Sequence, residues 1–473
     1  MVLESQEQVT ILEEAAIDKT VTDNHVTQRN VSEVTRDPTA RELPAFFYTA
    51  MEQVARDEGF TAGQYTIDTE DGSSKGDGFI GELFRAYLTE GDRRETYLCK
   101  IPPLNEARRQ QFGTMEIFER EVLMYSKLLP LMFAYQEEKG VGREDGFFCI
   151  PKCYHAHYDG QSAEAIIVME DLRLNHYSMF NKDKPVDYEH ARLTMEQLGR
   201  YNAVSLAMKH DRPEQFAQFK MDPMKEMMGP DHPFIVMLQK TTRDAMETLE
   251  PHESRERNKM QKLLDGMLTD VDRYANFELA EPYAVLGHGD CWINNMMYRY
   301  KVSGVRSGSK ISVVYVQLNR SPGFQNGTPE HIVLLDWQVA RYCSPILDLA
   351  YFIFCCTDEE FRRRHYDEMM SIYYNSLATL LEKLGHNPQE VFPRTAFLRQ
   401  LRQYGRFGLM LAVFLVPMMC TRNEDLPDMN ATAEMFRDTD NVDIAIYTKH
   451  TNQSAYRKRM RAVIRDTVRY GYI

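Results

Sequence analysis

The stretch His288-Gly289-Asp290-Cys291-Trp292-Ile293-Asn294-Asn295 follows an apolar run, Tyr283 to Leu286, and sets a carboxylate and a carboxamide five residues apart. A carboxylate in such a loop can orient an attacking hydroxyl and take its proton, while an amide oxygen a few residues later can hold Mg²⁺; phosphoryl transfer needs both. Asp290 and Asn295 have that spacing, against the plainer reading of an Asp-rich turn in which Asn294 caps the next strand. Downstream, the apolar run Ile332-Val333-Leu334-Leu335 delivers Asp336 where the chain leaves a sheet. Hard divalent ions prefer carboxylate oxygen, so Asp336 suits a second metal ligand beside Asn295.

Three earlier features belong to the same chemistry. Gly76-Asp77-Gly78-Phe79-Ile80-Gly81 is a G-x-G-x-x-G string, a weak signal alone, but a strand from Glu82 to Leu88 follows it where a dinucleotide fold would need a helix. Gly76, Gly78 and Gly81 therefore suit a flap over nucleotide phosphates, where glycine lets backbone N–H groups approach without an intervening side chain. Lys100 stands among apolar neighbours in Tyr97-Leu98-Cys99-Lys100-Ile101, and a cation there calls for an anionic partner. On the next helix Glu121 and Glu119 compete for that role; Glu121 lies nearer the apolar stripe through Phe118, Val122 and Tyr125, and helical phase selects it.

These residues need elements to carry them. Helical spacing runs through Phe47, Met51 and Val54 and ends at Gly59. Alternating strands follow, Phe84-Ala86-Leu88 and Tyr97 to Ile101, joined by the turn Glu90-Gly91-Asp92. A helix over 113 to 133 and a strand from Ala165 to Met169 complete a small mixed unit. Beyond Leu172 the pattern is mainly helical: 189 to 210, 233 to 249, 254 to 276, 358 to 384, 393 to 416 and 455 to 470. The low-apolar interruptions Ser303 to Ser309 and Ser321 to Pro329 fit an excursion within a hairpin.

Taken in order, these motifs resemble the protein kinase-like superfamily in its small-molecule branch of choline kinases and aminoglycoside phosphotransferases, and within it the ecdysteroid kinase-like family. The resemblance rests on His288-Gly289-Asp290-x-Trp292-x-Asn294-Asn295-x-Met297, on Asp336-Trp337-Gln338, on Ser344-Pro345 with Asp348-Leu349, and on Met169-Glu170-Asp171-Leu172. It covers about residues 44 to 425. It implies an α+β, protein kinase-like two-lobed fold, with a flexible polar tail over 1–43, a small antiparallel-sheet N-lobe over 44–172 that binds nucleotide, and a large, mainly helical C-lobe over 173–473 with the catalytic loop and acceptor site. It further implies ATP and Mg²⁺ as cofactors, Lys100 on the phosphates, Asp290 as base, Asn295 and Asp336 on the metal, and adenine against the backbone near Glu170 to Leu172. His288 and Asp348 are implied to brace the catalytic loop. Cys291, where the family more often has leucine, and the long stretch from Tyr298 to His331 depart from the pattern. Pro345 leads directly into an apolar helix with no Ala-Pro-Glu segment, so the acceptor is expected to be a small molecule.

Composition narrows the alternatives. With 56 basic and 70 acidic residues the net charge is -14, which argues against a nucleic-acid partner. Residues 1–43 carry nine acidic and four basic side chains and no aromatic residue, too little apolar surface to offset ordering. Eight cysteines without paired C-x-x-C spacing suit reduced thiols, and with no signal segment or membrane span the expected location is cytoplasmic. Cys149, Cys153, His155 and His157 are expected to be core thiols and loop histidines. The basic faces Arg394, Arg399, Arg402, Arg406 and Arg457, Lys458, Arg459, Arg461, Arg465 are expected to be solvated. The leading expectation is an ATP-dependent kinase acting on a hydroxyl of a lipophilic small molecule, with no protein partner evident. The alternatives are a non-catalytic kinase-fold ligand-binding protein and a choline- or aminoglycoside-type phosphotransferase.

Overall fold

The computed structural model describes residues 42–72, 80–111, 113–182, 184–221, 233–300, 327–425, 427–436 and 451–473. The first part contains α1 (Ala45–Asp57), β1 (Thr66–Asp71), β2 (Glu82–Glu90), β3 (Arg93–Ile101), α2 (Glu106–Gln111), α3 (Thr114–Leu123), α4 (Leu129–Glu138), β4 (Cys153–Asp159) and β5 (Glu164–Glu170). Its strands form one antiparallel sheet in the order β1-β2-β3-β5-β4. Strand periodicity decides what each face carries. Phe84, Ala86, Leu88, Tyr97, Cys99 and Ile101 pack with Phe47, Met51 and Val54 of α1, so Leu98 and Lys100 turn to the opposite face. Leu43 is buried in the same cluster, so the packed chain begins inside the segment expected to be tail.

The helix expected over 113 to 133 is interrupted: a π-helical turn, Met124–Leu128, joins α3 to α4. It buries Tyr125 directly behind Glu121. His155 and His157, expected in a loop, lie with Cys153 on β4, which pairs with β5 along its length. All eight cysteines are free thiols, six of them buried.

The second part runs through β6 (Tyr177–Met179), α5 (Tyr188–Asp211), α6 (Pro213–Phe216), α7 (Pro233–Met246), α8 (Ser254–Asp265) and α9 (Met267–Ala275). It continues with β7 (Val285–Gly287), β8 (Met296–Tyr300), β9 (Pro329–Leu334) and β10 (Arg341–Cys343), and ends in α10 (Ile346–Cys356), α11 (Glu359–Lys383), α12 (Pro388–Val391), α13 (Arg394–Tyr404), α14 (Phe407–Met419), α15 (Met429–Phe436) and α16 (Gln453–Arg469). Every residue of α10 is buried, as an all-round apolar helix requires. Two helices expected to be continuous are broken, at Gly266 and at Gly405-Arg406. Among the described residues no helix is long and apolar enough to cross a membrane.

Two small ribbons position the chemistry. β7 pairs with β10, and β8 with β9 and β6. In the β8–β9 register Met296 faces Leu334, so the residues just outside this closed end, Asn295 and Leu335, also meet, with the Leu335 N–H donating to the Asn295 carbonyl at 2.9 Å. The other end of the hairpin, Tyr300 opposite Pro329, leads into the excursion; residues 301–326 of it lie outside the described residues.

Arg457 and Lys458 of α16 are exposed as expected, but three of its basic residues do not face solvent alone. Arg459 donates to the Cys355 carbonyl, Arg461 to the Thr248 carbonyl at 2.6 Å, and Arg465 to Glu253 at 2.5 Å. Helical spacing cannot distinguish an arginine in water from one aimed at carbonyls of another helix end. Arg461→Ala is expected to lower stability by about 1–2 kcal/mol, since a charged donor to an otherwise water-poor carbonyl is lost; a lower melting temperature with unchanged circular dichroism checks it. Arg406 likewise pairs with Asp270 at 2.7 Å, whereas Arg394, Arg399 and Arg402 are exposed as expected.

Candidate active site

A cleft of about 310 Å³ lies where Lys100, Glu121, Asp290, Asn295 and Asp336 converge. The Lys100 ammonium lies 2.6 Å from Glu121 Oε2 and 2.8 Å from Asp336 Oδ1. Glu121, and not Glu119, is the glutamate paired with Lys100. Burial works against the Lys100 charge, but Asp336 and Glu121 outweigh it and hold its pKa above the usual lysine value. Burial pushes the Glu121 carboxyl up against the pull of Lys100. The ion pair therefore persists only while the lysine is present, because a lone carboxylate at this depth would take up a proton.

The loop 288–295 is held from below by α10. Asp348 accepts the backbone N–H groups of His288 at 2.7 Å and Gly289 at 2.9 Å. Gly289 has φ +86°, and a Cβ there would sit 2.0 Å from the Val339 carbonyl oxygen, so this position admits no other residue without moving the loop. His288 accepts the Asp290 N–H at Nδ1, 3.2 Å, and stands 2.9 Å from the Leu335 carbonyl at Nε2. A carbonyl only accepts, so the Nε2–H tautomer satisfies both contacts. The imidazole is a strut between this loop and the strand that delivers Asp336.

Asp290 accepts two hydrogen bonds, from the Tyr351 hydroxyl to Oδ1 at 2.8 Å and from Asn295 Nδ2 to Oδ2 at 2.7 Å. Burial and the neighbouring Asp336 charge raise its pKa, and the two donors oppose that rise. Since the Asn295 nitrogen is committed to Asp290, its oxygen is the atom left to ligate a cation. Asp336 adds a carboxylate on a left-handed backbone, φ +65°, unusual outside glycine and the kind of strain that functional sites retain. The Gln338 amide donates to Asp336 Oδ2 at 3.2 Å. Asn295 and Asp336 both line the cleft that holds the lysine, and their two hard oxygens are a donor set that fits Mg²⁺ bound to phosphate.

At the β2 side of the cleft, a Cβ on Gly81 would stand 3.1–3.3 Å from Phe118, Lys100 and the Ile101 carbonyl, so a larger residue there would press these neighbours aside by a few tenths of an ångström. Gly76 and Gly78 lie outside the described residues. Glu170 and Leu172 both line the cleft, together with Leu98, Met169 and Met297. Asp171 between them is engaged by Arg85 Nε at 2.6 Å.

Sequence reasoning missed several residues. Tyr351 looked like one more apolar position of α10, yet it lies three residues after Asp348, one helical turn along the same face, and that spacing was the available signal. Arg120 Nη1 donates to the Gln338 carbonyl at 2.7 Å, tying α3 to the segment after Asp336. Trp292, Phe414, Leu415 and Met418 also line the cleft; α14 arrives there from more than 100 residues downstream of Asp290, and nothing local announces it.

The model of the ecdysteroid kinase-like family matches residues 75–315 and 324–386. No curated protein matches the chain. Among solved structures, the GDP complex of wild-type aminoglycoside 2'-phosphotransferase-IIIa is similar, with 12% identity over 90% of this chain and 99% of that one, at a TM-score of 0.36. An ethanolamine kinase from Plasmodium vivax is similar with 9% identity over 92% of this chain and 93% of its own, at a TM-score of 0.35.

Proposed function

The chain belongs to the ecdysteroid kinase-like family, and from that premise we propose that it transfers the γ-phosphoryl group of ATP to a hydroxyl of a lipophilic small molecule, of which an ecdysteroid is the family's named example. The observation that carries this reading is the convergence of Lys100, Glu121, Asp290, Asn295 and Asp336 on one cleft. Each is the residue type the reaction needs, and each is held by a partner.

Lys100, held by Glu121, grips the phosphates. The acceptor hydroxyl lies against Asp290; its oxygen forms the new bond to the γ-phosphorus as the bond from that phosphorus to the ADP oxygen breaks, and its proton passes to the carboxylate. Tyr351 and Asn295 fix the carboxylate so that the proton transfer needs no reorientation. Asn295 and Asp336 would hold Mg²⁺, which when bound neutralises charge developing on the phosphate oxygens.

The lining supports a lipophilic acceptor. Trp292, Phe414, Leu415 and Met418 offer apolar surface in the same cleft as Asp290. Asp171 and Glu121 pair with Arg85 and Lys100, whereas Glu170 and Asp290 also line the cleft, so the preference for a lipophilic alcohol over choline or an aminoglycoside rests on this apolar lining.

The test is Mg²⁺-ATP turnover by the purified protein on ecdysteroids, other hydrophobic alcohols, choline and an aminoglycoside, with products identified by mass. A phosphate ester of a lipophilic alcohol is expected. ATP binding without turnover on any acceptor would favour a binding protein, and preferred turnover of a cationic acceptor would overturn the lipophilic assignment. A finer result is expected from Tyr351→Phe: loss of the hydroxyl raises the Asp290 pKa further, so the base protonates earlier on acidification. The acid limb of the kcat/KM profile then moves to higher pH, with roughly a few-fold loss at the optimum. An unmoved acid limb would exclude Asp290 as the titrating base.

A further inference from the structure

Outside the residues that line the cleft, the last turn of α5 meets the turn that follows α11. His210 Nδ1 lies 3.4 Å from Asp211 Oδ1, and His386 Nε2 lies 3.2 Å from the same oxygen. The three atoms all fall within 4.8 Å of one another. A tetrahedral zinc site with ligand bonds near 2.0–2.1 Å places its donors about 3.4 Å apart, and the two measured edges match that spacing.

The state of His386 points the same way. Its side chain is only 8% exposed, and Nε2 is sealed from solvent without a hydrogen bond of acceptable geometry, despite its closeness to Asp211. A buried imidazole nitrogen is rarely left so, because an unmet polar atom costs about 1–3 kcal/mol. Its lone pair lies beside a carboxylate oxygen and a second imidazole, an arrangement suited to a shared cation. The two rings stand edge to face at 4.9 Å, so both nitrogens reach one point without stacking over it.

The outer partners of the carboxylate are present as well. Asp211 Oδ2 accepts the Tyr135 hydroxyl at 2.9 Å and the Lys139 ammonium at 2.6 Å, leaving Oδ1 to face the histidines. Hydrogen bonds on the far oxygen of a ligating carboxylate fix its orientation. His210 is 67% exposed, so water can complete the coordination.

We propose that His210, Asp211 and His386 form a binding site for a divalent transition ion of zinc's type, which ties the end of α5 to the turn after α11. Through Tyr135 and Lys139 the same carboxylate also holds the end of α4, the continuation of the helix that carries Glu121. The bound ion thus fastens three helix ends together.

The experiment uses the full chain, stripped with a chelator, and titrates it with Zn²⁺ alone against a chromophoric competitor; Co²⁺ replaces Zn²⁺ in a parallel absorption measurement. His210→Ala and His386→Gln are the variants, and the first changes an exposed side chain and keeps the fold. The expected result is one ion per chain, at least tenfold weaker binding in each variant, a Zn²⁺-dependent rise in melting temperature seen only in the parent, and the visible absorption of four-coordinate Co²⁺. Zn²⁺ binding of equal strength and stoichiometry in the parent and in His210→Ala would overturn the proposal, as would no binding to the stripped parent. Neither readout depends on phosphoryl transfer.

Discussion

Replacing Asp290 with asparagine is expected to lower phosphoryl transfer by about 10²–10⁴-fold, the contribution of a positioned general base, while nucleotide affinity changes little. Asparagine keeps the shape of the side chain. Its oxygen can still accept from Asn295 Nδ2, and its amide can donate to the Tyr351 oxygen once that hydroxyl reverses, so both neighbours remain satisfied. What is removed is the ability to take a proton.

The same substitution is expected not to destabilise the protein. Burial and Asp336 disfavour the charge of Asp290. Its folded pKa lies above the ordinary aspartate value, so its charge opposes folding above that range. A neutral isostere removes the penalty, and the melting temperature should stay level or rise. A variant that loses both activity and stability would mean that Asp290 is mainly structural.

The second large effect is expected from Lys100→Met. Lysine is the only cation contacting Glu121 and Asp336 among the described hydrogen bonds and ion pairs. Its removal leaves a buried carboxylate unpaired, a change that costs about 3–5 kcal/mol when both partners are buried. Activity should also fall about 10²–10³-fold, because a preorganised donor to the phosphates is gone.

The pH dependence identifies the cause. In the parent, burial already pushes Glu121 up to about 7 from its ordinary 4.5, and without Lys100 the pull toward the charged form disappears. The folded variant then binds a proton on Glu121 more tightly than the unfolded chain does. Stability therefore falls as pH rises through the window above 4.5 and recovers on acidification. Denaturant titrations at about pH 8 and about pH 5.5 should show a larger deficit at the higher value; a deficit independent of pH would place the loss in packing and not in the stranded carboxylate.

Much of this site is legible before any folding is considered. The order of glycine loop, lysine, glutamate, Asp/Asn loop and strand-end aspartate belongs to the chain itself, and each signal spans only a few residues. Period-two alternation places Lys100 on the opposite sheet face from Cys99 and Ile101, and helical phase separates Glu121 from Glu119. Such patterns work because a strand or helix assigns its faces by local geometry alone. The broad division into a small antiparallel sheet and a mainly helical remainder is readable for the same reason.

Tertiary structure decided what local geometry cannot reach. Tyr351 reaches Asp290 across 61 positions, and Arg85 reaches Asp171 across 86. Their side chains look ordinary until packing brings two elements together. The arginines of α16 read as a solvated stripe because charge periodicity is identical whether the facing medium is water or a row of carbonyl oxygens. The meeting of Asn295 with the Asp336 segment depends on the register of β8 with β9, and the pairing of His386 with Asp211 on two helix ends separated by most of the large lobe. Residue type and spacing determined which groups could do the chemistry; long-range packing determined which groups hold them, because contacts between distant segments leave no periodic trace in either segment alone.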